Sequence, residues 1–281
     1  MSNYYCFIAG LPEITLDDER IFYSVKEFKE ELENVLSPKD KKIVSVFFLQ
    51  FDNKNLLSFL RDKESSFDNR GNYSKEEIEE LCQNLKESDT YSSKKFPGYF
   101  IRFIQAYIQN KPVYESLMWE DQLSSLYYEY AGHCKNKFIS EWYHLNLNLN
   151  NMMASVTCRK YDLDNRTAIL GSSEIADVIR ESGQRDMGLT GVLDYLENVL
   201  QISEEKNLKE REKQLDIFRW EWLEEHAFFH YFSVERIFVY LIKLELIERW
   251  MKLDPESGKK RFRKIINTLK NEIKAENYDF K

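Results

Sequence analysis

Only nine glycines and five prolines occur in 281 residues, about 5% of the chain against a usual ~12%. A chain this poor in reversal residues cannot supply the tight turns of a sandwich or a hairpin barrel, nor a glycine-rich loop around a phosphate. Helix is what remains. The expected fold class is therefore all-α, a multi-helix body over residues 1–281, with subdivisions near 61–74 and 183–191. Hydrophobic residues at 43% and charged residues at 31% exclude both disorder and a disulfide-stapled miniature.

The pattern along the chain places the helices. Residues 4–11, ending at Pro12, read as a short strand or the first turns of a buried helix, which periodicity does not separate, and composition favours helix. Ser24 and Glu27 stand at capping-box spacing and predict about twelve helical residues before Pro38, and Ser74 with Glu77 repeats the device. Between them, apolar residues cover both faces of 40–60, so that segment should be buried, and the polar 61–74 stretch reads as a loop. Two helices meeting at Pro112 are expected over 100–130, and another over 138–161. Ser172 or Ser173 starts a short helix, with Gly183 a C-terminal cap and Gly188 and Gly191 marking the next turn. From Gly191 to Pro255 there is neither glycine nor proline, and Leu215, Phe218, Trp222, Phe229, Phe232, Phe238, Leu241, Leu244, Ile247 and Trp250 form one broad apolar stripe. Unbroken from Lys209 to Leu253, such a helix would be a lever on the order of 65 Å long, with Ser233 the place for a kink. A last helix is expected from Glu256 to Ala275.

Forty Lys and Arg against 48 Asp and Glu give a net charge of −8, which repels nucleic acid and anionic lipid at long range. The basic cluster Lys259, Lys260, Arg261, Arg263 and Lys264 reads first as a solvated helix face and second as a contact for an acidic partner. Cys6, Cys82, Cys134 and Cys158 include no C-x-x-C pair and read as reduced core thiols. No basic n-region precedes the apolar start, and no apolar run approaches the ~18 residues a membrane span needs. The expected location is cytoplasmic, with membrane association only through partner subunits.

Few constellations could carry chemistry. His226 and His230, spaced i,i+4 on one predicted helix, could share a metal ion, but Ala227 stands where a zincin has glutamate and no third ligand follows by spacing. Hydrogen-bonded core histidines are the competing reading. The segment 183–190 has P-loop glycine and threonine spacing with Leu189 in place of the phosphate-binding lysine, and reads as a helix-ending loop. Asp17–Asp18 and Glu224–Glu225 read as caps and solvated faces. Asn146, Asn148, Asn150 and Asn151 are dense for a helix interior and point to inter-helix hydrogen bonds or a contact surface. Arg159, Arg166, Arg180 and Arg185 either ion-pair internally or present donors to another subunit. Neither a catalytic set nor a cofactor is expected.

The opening Asn3-Tyr4-Tyr5-Cys6-Phe7-Ile8-Ala9-Gly10-Leu11-Pro12 and onward to Asp18, the stretch Asn148 to Asp164, Gly171-Ser172-Ser173-Glu174-Ile175-Ala176, and the segment from Arg219-Trp220 to Arg249-Trp250 resemble a bacterial family encoded in V-type ATPase operons. That family resembles the C subunit of these ATPases, the counterpart of eukaryotic subunit d. The resemblance implies an elongated helical subunit with pseudo-repeated lobes, seated on the membrane rotor ring and gripping the central-stalk subunits. Its role would be non-catalytic coupling for ion transport, with Arg159, Arg166, Arg180 and Arg185 as partner contacts. Two other readings stand beside it, a metal-dependent helical enzyme using His226 and His230, and a helical adaptor unrelated to ATPases.

Overall fold

The computed structural model describes residues 4–18, 20–88 and 91–253. Among them every regular element is helical, and none is a strand. The helices are α1 (Tyr5–Ala9), α2 (Val25–Val35), α3 (Pro38–Arg61), α4 (Lys75–Glu87), α5 (Gly98–Ile108), α6 (Trp119–Gly132), α7 (Lys137–Tyr161), α8 (Glu174–Glu181), α9 (Leu196–Ser203), α10 (Leu208–His226) and α11 (Val234–Lys252). A single 3-10 turn, Asn165–Thr167, joins α7 to α8. The basic cluster at 259–264 and the helix expected over 256–275 lie outside the described residues.

Local chemistry sets the starts. Ser24 and Ser74 each accept a hydrogen bond from the backbone N–H of Glu27 and Glu77 while those glutamates reach back, so both capping boxes form. Ser37 and Ser173 cap α3 and α8. Gly183 is no cap: α8 ends at Glu181, with Ser182 extended, and Gly183 does not adopt positive φ. The left-handed positions downstream are Met187, Gly188 and Gly191, so the two later glycines do make the turn.

The expected lever is absent. Helix α10 stops at His226, residues 227–233 turn, and α11 runs back antiparallel, since Glu224 meets Lys243 and Asp216 meets Arg249. No glycine or proline marks the reversal. Each arm is about 28 Å long, and folding back lets α11 bury nearly all round, which an extended rod cannot do. Twelve of its nineteen residues are buried, Ile237, Phe238, Leu241, Leu244 and Ile247 among them completely, each such side chain stabilising by about 1.5–3 kcal/mol. Phe229 and Phe232 leave the predicted stripe for the turn, where Phe229 is 83% exposed.

A helix buried all round must also find partners for its charges. Lys243 meets Glu224 on α10 and lies 4.2 Å from the Trp220 ring centre. Glu248 accepts from the Val25 N–H at the start of α2, from Lys252 at 2.7 Å and from Arg70 at 3.4 Å. Arg249 reaches Asp216, a fully buried carboxylate on α10 that also accepts from Arg219 and the Trp250 indole, each at 2.8 Å.

The 62–74 segment is a loop as expected, yet it is stapled to the body and separates no second core. Asn55 exchanges two hydrogen bonds with the Asp68 backbone, and buried Asp52 accepts from the backbone N–H groups of Asn72 and Tyr73. Gly71 is needed here because a Cβ would overlap the Asp52 carboxylate. In the 183–191 loop, Met187 and Leu189 are buried in the same continuous cluster that runs from Tyr4 to Leu246. The cysteines divide: Cys82 and Cys158 are buried, Cys134 half-buried, and Cys6 exposed rather than a core thiol.

Asp216→Ala leaves Arg249 and Arg219 without their carboxylate, and urea unfolding should show a loss of about 3–5 kcal/mol; a loss below about 1 kcal/mol would contradict the clamp. Burial pushes the Lys243 ammonium from 10.5 down to about 8. The unfolded chain then holds more protons than the folded one between those values, so stability rises as pH climbs through that window. Lys243→Met should flatten the rise, and parallel wild-type and variant curves from pH 7.5 to 10 would refute the assignment.

Candidate docking surface

The asparagines of α7 serve the interior. Asn151 donates to the Leu170 carbonyl and accepts from its N–H, both at 2.8 Å; Asn148 donates to the Tyr195 hydroxyl at 3.1 Å and Asn150 to the Tyr128 hydroxyl at 2.8 Å. Asn146 accepts from Arg219 Nε at 2.9 Å. These amides tie α7 to α6, α10 and the segments flanking α8 and α9.

Three of the four arginines share one cleft of about 410 Å³, where the C-terminus of α7, the 3-10 turn and α8 meet. Arg159 donates to the Gln184 carbonyl, Arg166 pairs with Glu181 at 3.0 Å, and Arg180 joins Asp177 to the Gly171 carbonyl. Arg185 stands apart from the cleft, paired with Glu204. All four have partners within the chain. Arg180 is the least exposed and holds backbone carbonyls, whereas Arg166 and Arg185 are bonded across open surface.

The two histidines do not share a helix. His226 is the last residue of α10 and lies exposed, stacked on Trp222 with ring centres 4.0 Å apart, and its Nδ1 lies 3.0 Å from the Trp222 carbonyl. His230 sits beyond the reversal, edge-on to Phe138 and 3.7 Å from Glu235. The i,i+4 face that would have paired them is broken by the turn, and His226 is no core residue. No group of three or more His, Cys, Asp or Glu able to hold a metal ion occurs among the described residues. The 183–190 segment is a loop in which Asp186 accepts from Thr190 Oγ1 at 2.6 Å and from the Gly188 N–H. Asp18 accepts from Thr15 and Asp17 pairs with Lys213, as surface carboxylates do.

The surface feature that composition did not reveal is the turn itself. Phe228, Phe229 and Tyr231 are 61%, 83% and 58% exposed, and Tyr5 packs on half-exposed Phe232 with ring centres 4.6 Å apart. The Phe228 ring centre lies 5.0 and 6.3 Å from those of Phe229 and Tyr231. Five aromatic rings thus form one solvent-facing knuckle held in place by the Tyr4 N–H bond to the Phe232 carbonyl. Contiguous exposed apolar surface of this kind marks an interaction site. Beside it, His226 and Trp222 enter a groove of about 550 Å³ walled by Glu141, Asp194, Glu221 and Glu225. The surface next to the knuckle is therefore acidic.

With this geometry in hand, the family model described as Protein of unknown function (DUF2764) matches residues 1–273. The chain belongs to that family. No curated protein and no solved structure matches it. The DUF2764 match spans the helical body, the arginine cleft and the aromatic knuckle alike. No helix among the described residues is long and apolar enough to cross a membrane.

For the DUF2764 chain the arginines can be ranked. Arg180→Ala should cost about 1–2 kcal/mol because two backbone carbonyls lose their donor. Arg166→Ala and Arg185→Ala should leave the urea midpoint unchanged; equal effects of all three would show that the exposed pairs matter more than the geometry says.

Proposed function

We propose that this chain is a non-catalytic coupling subunit of a V-type ATPase, of the C or d type, standing between the membrane rotor ring and the central stalk. Two things support the reading. One is the resemblance of its opening segment, its 148–164 stretch and its 219–250 segment to the family encoded in V-type ATPase operons. The other, and the observation that carries the structural side, is the aromatic knuckle at 228–232 with Tyr5. A subunit that transmits load needs a stiff body and an apolar anchor for its partner, because aromatic anchors dominate binding energy at protein interfaces.

In this reading the knuckle engages a stalk or ring subunit, association with the membrane runs through those partners, and nucleic acid is not bound. The antiparallel α10–α11 pair would hold the knuckle at its end. The Asp216 and Lys243 pairs tie the two arms together, so a force on the turn reaches the central helix directly.

The test is co-purification of a tagged chain from its native host. Recovery with V-type stalk or ring subunits is the expected result, and Phe228→Ser with Phe229→Ser should weaken it at least ~100-fold, since truncating a central aromatic anchor costs about 2 kcal/mol or more each. Both side chains are mostly exposed, so the double variant should fold with an unchanged circular dichroism spectrum. Absence of the chain from assembled, active ATPase complexes would overturn the reading. A knuckle-dependent complex lacking ATPase subunits would replace it with the adaptor reading.

A further inference from the structure

Where α3, α6, α7, α10 and α11 converge, they leave a cavity of about 280 Å³. Its polar groups are unequally satisfied. Asp216 is fully committed to Arg219, Arg249 and Trp250, and Asn146 and Asn150 are bonded to Arg219 and to the Tyr128 hydroxyl. Glu245 on α11 is different. It lines the cavity, and among the described residues it has neither a hydrogen-bond donor nor a cation within ion-pair distance, although Arg249 and Lys54 act on it from farther away. Burial pushes its carboxyl up from the ordinary 4.5. On the opposite account, Arg249 Nε is buried with no acceptor. Lys54 stands exposed at the mouth, over the Phe51 ring, with no carboxylate in ion-pair reach among the described residues.

A half-buried carboxylate without a partner and a buried donor without an acceptor, lining one cavity, call for a ligand that answers both, since unpaired polar groups drawn away from water are costly. A simple anion would meet the Arg249 and Lys54 donors but oppose Glu245. A simple cation would meet Glu245 but oppose the two arginines. A molecule carrying both charges a few bonds apart satisfies the set, and the cavity falls just below the ~300–1,000 Å³ of drug-sized ligand sites, too small for a nucleotide. The walls contributed by Phe47, Trp142 and Tyr143 would receive an apolar body. We propose that this cavity is a binding site for a small zwitterion of the α-amino acid class, its ammonium on Glu245 and its carboxylate between Arg249 and Lys54. The proposal is independent of the coupling role and concerns the interior of the body, not the exposed aromatic turn.

The test uses the full chain with the standard L-amino acids one at a time, up to about 10 mM, the weak end of specific affinity. At least one should raise Tm by about 3 °C or more and titrate to saturation by calorimetry. The N-acetyl derivative and the methyl ester of that amino acid, each lacking one charge, should bind at least ~10-fold more weakly. Glu245→Gln, which keeps shape and removes the charge, should weaken the amino acid by a similar factor. Should that variant fail to fold, Lys54→Met at the exposed mouth should weaken it about 5-fold. No stabilisation by any of the amino acids would overturn the proposal, as would binding unchanged in Glu245→Gln, or an N-acetyl derivative binding as tightly as its parent, the mark of a simple anion site.

Discussion

The body depends on how one buried helix keeps its charges. Helix α11 is enclosed on nearly all sides, yet it carries Lys243, Glu245, Glu248 and Arg249. Three of the four have partners on other elements or at a neighbouring helical turn: Glu224 and Asp216 on α10, and for Glu248 the α2 N-terminus, the 62–74 loop and Lys252. Apolar burial alone would let neighbouring helices slide, because it is non-directional. The charges remove that freedom, since breaking a buried pair strands its partner in a low-dielectric setting. Glu245 is the exception, and the exception lines a cavity left where five helices converge.

Interior and surface divide the work. The asparagines of α7 and Arg180 turn inward, to carbonyls and hydroxyls, while Arg159, Arg166 and Arg185 are bonded along the surface to groups of the same chain. The outward offering is aromatic and lies at a reversal between two helices. A turn made of phenylalanine and tyrosine is costly in water and contributes little to the core, so its significance lies in the surface it presents. Its acidic flank narrows what can approach it, since anionic partners are repelled.

Much of the helical plan was legible from local chemistry. Two capping boxes, the polar 61–74 loop and the Gly188–Gly191 turn depend on groups within a few residues of each other, so spacing alone exposes them. The reversal at 227–233 was not legible, because its cause is distant: the pairs that hold α10 against α11, and the Tyr4 N–H that bonds the Phe232 carbonyl. A stripe of apolar residues cannot say whether it lies along one rod or two. The same distance hid Asp216 and Glu245, which resemble any other acidic residue of a charged helix. A hint existed in the charges lying within an apolar stripe, where each one must either escape to water or find an answer. For the arginines, sequence left internal pairing and outward contact both open, and the geometry supplied an internal partner for each.

The bond between the Val25 N–H and Glu248 spans 223 positions. A ribosome adding ~5–20 residues per second needs on the order of 10–45 s to cover that separation. For most of that interval α2, α3 and the 62–74 loop have emerged while the helix they close upon has not, and the apolar seats of Phe28, Phe47 and Phe51 lack the α11 side of their packing. Assembly is thus ordered by translation, with apolar surface of the nascent N-terminal half left uncovered until its keystone arrives.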